Sequence, residues 1–216
     1  MPTADPTPDA AEQRKALSRA TFDGQAATYD ADRNGSHARE LYPHVLREVL
    51  DHVRGRGSCR VLDVGCGTGA LAEQVLGNLP HCALTGVDLS PAMLERAAKR
   101  LGSRADLRLA DSEHLPFGEG SFDAVYCNDS FHHYPDPERA VFEMWHVLGT
   151  GGLLVVGECW LPAPLRVPLN RALPYSRSGD VRIYSERELR DLLGRWFARV
   201  DWRRIGAGAC LARGWK

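Results

Sequence analysis

The 216-residue sequence has no run near the roughly 18 consecutive apolar residues that a membrane-spanning helix needs. Its opening stretch, Met1 to Ala11, carries Pro, Asp and Thr but no apolar core, so it does not read as a secretory signal. Charge of one sign is missing too. The 27 Lys and Arg face 28 Asp and Glu, for a net charge of −1. A chain so balanced has no general pull toward nucleic acid or an anionic bilayer. None of the six cysteines forms a C-x-x-C pair, which removes the sequence argument for a zinc or redox site and favours buried free thiols. No internal repeat and no second domain are found. The expectation is one cytoplasmic chain with a small-molecule partner, no nucleic acid and no membrane insertion, as a monomer or homodimer.

What is present is a stretch around which the rest is organised, Val61-Leu62-Asp63-Val64-Gly65-Cys66-Gly67-Thr68-Gly69-Ala70-Leu71. An apolar run ends in an acid, three alternating glycines follow, and Leu71, Ala72, Val75, Leu76 and Leu79 then recur at helical spacing. This predicts a buried strand, a tight loop and a helix whose first turn offers unpaired N–H groups to a ligand. The G-x-G-x-G spacing differs from the dinucleotide pattern G-x-G-x-x-G.

A second strand is predicted over Ala83–Asp88, with Asp88 placed so that two carboxylate oxygens can accept from both ribose hydroxyls of a nucleoside. Ser90 before Pro91 is the cap of the next helix, which leaves Asp88 free for ligand work. A short third strand, Asp106–Ala110, leads into Asp111-Ser112-Glu113-His114-Leu115-Pro116-Phe117. The fourth, Ser121–Asn128, leads into Asp129-Ser130-Phe131-His132-His133-Tyr134. Asp136 and Pro137 start a helix, and Leu153–Gly157 is the fifth strand. Residues 160–183 are broken by prolines and predict little regular helix. Ser185 and Glu188 form a capping box for a helix reaching Phe197, and Arg199–Ile205 with Ala209–Trp215 make a terminal hairpin. Toward the N-terminus, residues 1–20 are expected to be flexible apart from a short helix over Glu12–Ala20. Ser36–Val53 is an amphipathic helix.

Over about residues 60–160 these motifs resemble, in order, the class I S-adenosylmethionine-dependent methyltransferases. The spacing of Phe22 and Tyr29-Asp30 resembles the N-terminal segment of the ubiquinone/menaquinone type, which folds over the cofactor. The resemblance implies an α/β, Rossmann-like, doubly wound fold: a mostly parallel seven-stranded sheet with an antiparallel terminal hairpin strand and helices on both faces. It implies one domain over 21–216, comprising a helical segment 21–57, a cofactor core 58–160 and a pocket insertion at about 160–183. S-adenosylmethionine is then the methyl donor and S-adenosylhomocysteine the product.

Cofactor contacts are implied for Asp63, Gly65, Cys66, Gly67 and Gly69 in the first motif, and for Asp88, Leu89 and Met93 in the second. Asp111 and Ser112 follow in the third, then Asn128 and Ser130 past the fourth strand, with Tyr29 near the methionine end. His132 and His133 are the candidate catalytic bases, since imidazole titrates near working pH. The other histidines read as surface or packing residues, His37 least securely. Transfer from a sulfonium needs no metal. The expected function is methylation of O, N or C of a small metabolite, with secondary metabolism as the setting. The alternatives are C-methylation of a quinone precursor, or a non-methylating cyclase, isomerase or regulatory protein on the same scaffold. A nucleic-acid methylase would want an Asn/Asp-Pro-Pro-Tyr motif where Asn128-Asp129-Ser130-Phe131 stands.

Overall fold

The computed structural model describes residues 8–33, 35–176 and 178–216. Seven strands form one sheet: β1 (Cys59–Val64), β2 (Cys82–Asp88), β3 (Ala105–Leu109), β4 (Phe122–Asn128), β5 (Leu148–Cys159), β6 (Arg199–Ile205) and β7 (Ala209–Trp215). Their spatial order is β3-β2-β1-β4-β5-β7-β6. The pairs among β1 to β5 are parallel, while β7 runs antiparallel to both β5 and β6. This is the expected fold class.

The strand residues explain why the sheet is covered on both sides. On β4, Ala124 and Tyr126 join a core with α2 (Ser36–Val53) and α3 (Ala70–Asn78), while Val125 and Cys127 join the opposite core with α5 (Pro137–Val147) and α7 (Glu186–Leu193). Alternate residues are apolar on both faces, as a parallel sheet with helices on either side requires. The strand order reverses between β1 and β4, so a crevice opens at their carboxyl ends. All six cysteines are free thiols, five of them buried. Among the described residues no helix is long and apolar enough to cross a membrane.

Three local expectations change. First, α1 spans Pro8–Gln25, longer than the expected helix and occupying much of the segment expected to be flexible; what was expected of residues 1–7 lies outside the described residues. Distant partners hold it: the Lys15 ammonium lies 2.7 Å from Asp111 and 2.6 Å from Glu113, and Arg14 donates to the Leu173 and Ser176 carbonyls. Second, the proline-broken insertion contains a helix, α6 (Ala163–Ala172). Its first proline, Pro164, falls in the first turn, where the missing N–H has no intrahelical acceptor to lose. Third, β5 begins at Leu148, so Gly149-Thr150-Gly151-Gly152 lies within the strand as an irregularity of register beside Phe122 and Ala124. The remaining helix, α4 (Pro91–Leu101), is capped by Ser90, whose hydroxyl accepts from Met93 N at 3.1 Å.

Candidate active site

The crevice holds a cavity of about 970 Å³, counting its open mouth. Its floor is the glycine loop. Gly65 and Gly67 take positive φ, +76° and +53°, and the Gly65 and Cys66 amides both donate to the Val87 carbonyl. The loop is thereby stitched to β2. A Cβ on Gly65 would lie 2.7 Å from Ser130 Oγ, whereas one on Gly67 would meet no protein atom within 4 Å. The backbone at Gly67 is therefore open to a close approach.

Three acids stand where successive strands end. Asp63, one residue before the end of β1, is 2% exposed and accepts from the Tyr126 hydroxyl at 2.9 Å. Burial pushes its carboxyl up to about 8 against that hydrogen bond, and the nearby Asp88 charge adds to the rise. Asp88 closes β2. One of its oxygens accepts from Gly67 N and the other from Ser90 N, each at 2.8 Å. Burial raises it too, with those backbone donors opposing. Asp111, past β3, accepts from Glu113 N at 2.9 Å and is paired with Lys15. These acids, one buried and two half-buried, with Asp63 and Asp88 shifted toward neutrality, suit a ligand that brings positive charge and sugar hydroxyls.

Of the residues singled out in the sequence, Tyr29, Asp63, Gly65, Cys66, Gly67, Asp88, Leu89, Met93, Asp111, Ser112, Asn128, Ser130 and His133 all line this one cavity. Asn128 also leaves its amide oxygen buried without a partner. Burial raises the Tyr29 hydroxyl above its ordinary range, so it remains a neutral phenol.

Two expected residues do not line the cavity. Gly69 (φ +75°) caps α3, and a Cβ there would press on Leu101 and Ala97 of α4, so this glycine serves helix packing. His132 is the second. In the single turn Phe131–His133 it faces Glu158, with Nδ1 2.6 Å from Oε1, while its backbone N–H donates to Oε2. Burial alone would lower its pKa, but the Glu158 charge and hydrogen bond raise it to about 10. His132 thus turns to Glu158 and does not line the cavity in which a base would meet the acceptor. Its neighbour His133 is pushed down to about 3 by burial and by the His132 charge, and is neutral.

Several cavity residues lay outside the sequence reading. Lys15, Ser18 and Arg19 come from α1, as does Phe22, which the sequence did single out and which packs edge-on to the His133 ring at 5.0 Å. Thr68 donates to Asp30 at 2.6 Å, and Arg100 bonds both, so the Tyr29-Asp30 segment is clamped to the glycine loop. Asp129, one residue past β4, lines the cavity with φ +56°, the one positive value among described non-glycine residues. Its carboxylate lies 2.7 Å from His37 Nδ1, and His37 Nε2 reaches the Gly208 carbonyl. That contact, then the Asp129 charge against burial, raises the His37 pKa. Asp129 had a signal in the sequence, its place just past a parallel strand, whereas Lys15 had none.

A family model described as a methyltransferase domain matches residues 62–156. A malonyl-(acyl-carrier protein) O-methyltransferase of Geobacter sulfurreducens is 32% identical over 191 residues, covering 82% of this chain and 68% of that protein. A demethylmenaquinone methyltransferase of Thermus thermophilus is 35% identical over 139 residues, covering 60% of this chain and 63% of that one. Among solved structures, a Burkholderia thailandensis 1,6-didemethyltoxoflavin-N1-methyltransferase with bound 1,6-didemethyltoxoflavin and S-adenosylhomocysteine superposes with a TM-score of 0.74. It shares 22% identity and covers 100% of this chain and 93% of that one, which shows a common fold.

Proposed function

This chain belongs to the S-adenosylmethionine-dependent methyltransferases, and we propose that within them it methylates oxygen, nitrogen or carbon of a small metabolite. The observation that carries this reading is the convergence of Asp63, Asp88, Asp111 and the open backbone of Gly67 on one cavity. Asp88 would take the ribose hydroxyls. Asp63 and the free Asn128 carbonyl would face the ammonium of the methionine end. Asp111 would meet the adenine in competition with Lys15. When bound, the donor supplies an electrophilic methyl on a sulfonium whose thioether leaves readily.

The protein's task is then to hold donor and acceptor in line and keep water away. Phe22, Tyr29 and the His133 ring bound the remaining space, which suits a flat or partly apolar acceptor. The Asp129 carboxylate faces that space and can accept a proton, whereas His133, held neutral by burial, contributes its ring to the wall. The insertion that includes α6 would shape acceptor choice. A second reading, C-methylation of a quinone precursor, is supported by the Thermus relative and by the Phe22-to-Asp30 segment.

Incubation with methyl-labelled donor and a panel of phenols, quinols, amines and acids tests the proposal. Label in a product supports transfer and identifies the atom. Turnover without label would overturn it in favour of a non-methylating enzyme. Asp129→Asn should lower kcat while leaving donor affinity nearly intact.

A further inference from the structure

Three side chains converge at the carboxyl ends of β4 and β5 in an arrangement that methyl transfer does not call for. His132 Nε2 and His133 Nδ1 each lie 3.5 Å from the same oxygen, Asp180 Oδ1. The three ligand atoms all fall within 4.8 Å of one another. His133 Nδ1 is buried and accepts no hydrogen bond, and its side chain is 10% exposed. Two imidazole nitrogens thus aim at one carboxylate oxygen and neither bonds to it.

A separation of 3.5 Å is long for a hydrogen bond. It is close to the edge of a tetrahedron, about 3.4 Å, whose corners lie ~2.0–2.1 Å from a central zinc ion. Each candidate ligand is also held from behind. Glu158 Oε1, 2.6 Å from His132 Nδ1, fixes the tautomer that frees Nε2 for an ion. Ser178 Oγ and Ser176 Oγ donate to Asp180 Oδ2 and leave Oδ1 facing the histidines. A carboxylate–histidine pair behind an open nitrogen, beside a second histidine and an anchored carboxylate, is the donor set that zinc takes.

We propose that His132 Nε2, His133 Nδ1 and Asp180 Oδ1 bind a divalent cation of the zinc class, with water as the fourth ligand. The ion would tie the insertion, through Asp180, to the turn after β4, where Val181 N already donates to the His132 carbonyl at 2.8 Å. With Nδ1 coordinated, His133 carries its proton on Nε2. Asp129 is then left as the proton acceptor. The inference stands on the geometry of the cluster and is independent of the methyl acceptor.

Metal-stripped full-length protein titrated with Co²⁺ should show one saturable site with the visible d–d bands of a tetrahedral ion, lost on adding Zn²⁺. X-ray absorption of the zinc-loaded wild type should show two imidazoles in the first shell. Asp180→Asn and His133→Gln, checked for native circular dichroism, should weaken binding more than the ~10–100-fold expected for Glu158→Gln. Cys159→Ser, which removes the thiol beside Glu158, should leave it unchanged. No saturable binding by the folded wild type would overturn the proposal and leave His132 as a partner of Glu158 alone. So would a first shell without imidazole, or an affinity that the Asp180 and His133 variants retain.

Discussion

The Lys15 ammonium stands 2.7 Å from an Asp111 oxygen and joins residues 96 positions apart. The same ammonium also reaches Glu113, which is 4% exposed. Burial would lower the Lys15 pKa, but its hydrogen bonds to the two acids outweigh that and hold it charged. Lys15→Met should therefore strand a buried carboxylate and cost about 1–3 kcal/mol in urea unfolding. Adding Glu113→Gln should recover part of the loss. A double-mutant cycle with coupling under about 0.5 kcal/mol would mean the pair does not hold α1 in solution.

Asp88 ties the glycine loop to the start of α4 through Gly67 N and Ser90 N. Asp88→Ala removes that tether together with the carboxylate acceptors. It should weaken S-adenosylhomocysteine binding about tenfold or more, since a lost charged hydrogen bond is worth about 1.5–3 kcal/mol. Asp88→Asn keeps one acceptor and should lose less. Unchanged calorimetric affinity in both would remove Asp88 from the ribose.

Gly65 and Gly67 should fail in different ways. Both carry positive φ, so an alanine at either costs roughly 1–2 kcal/mol of backbone strain. At Gly65 the new methyl also strikes Ser130 and should lower the unfolding midpoint further. At Gly67 it meets no protein atom, so the larger change should appear in donor affinity. Equal stability losses with equal donor affinities would contradict the open approach at Gly67.

The His37–Asp129 contact gives a pH dependence of known sign. His37 has a folded-state pKa above its ordinary 6.5. Its contribution is therefore fully present below about 6.5 and is lost as pH rises through the raised value. His37→Gln should lower the melting temperature most at about pH 5.5 and least at about pH 9. A difference that grows with pH would show that His37 is neutral in the fold.

Much of this was legible in the sequence because strand ends announce themselves. Asp63, Asp88 and Asp111 each follow a short apolar run, and a parallel sheet gathers such ends at one crevice. What was not legible depends on partners far away in the chain. Nothing local separates His132 from His133. Glu158, 26 residues on, draws one out of the cavity and leaves the other lining it. Gly69 has the spacing of a binding glycine, yet its neighbours are Ala97 and Leu101. The reach of α1 depends on Lys15, an ordinary helix lysine until the loop after β3 supplies its acids. The helix in the insertion was masked by prolines: Pro164 sits in the first turn, which tolerates it, but Pro168 lies inside the helix.

The place of β7 between β5 and β6 has a consequence for how the polypeptide is born. It is the last-made of the seven strands, yet it occupies an inner position and alone joins β6 to the rest. While the ribosome is still extending the chain, the cofactor half can assemble early from contacts already synthesised, but one flank of β5 must wait with its backbone donors and acceptors bare. Until residues 209–215 arrive, that unpaired flank is a template for other nascent chains. A stall or truncation a few codons before them should turn an otherwise folded intermediate into an aggregating one.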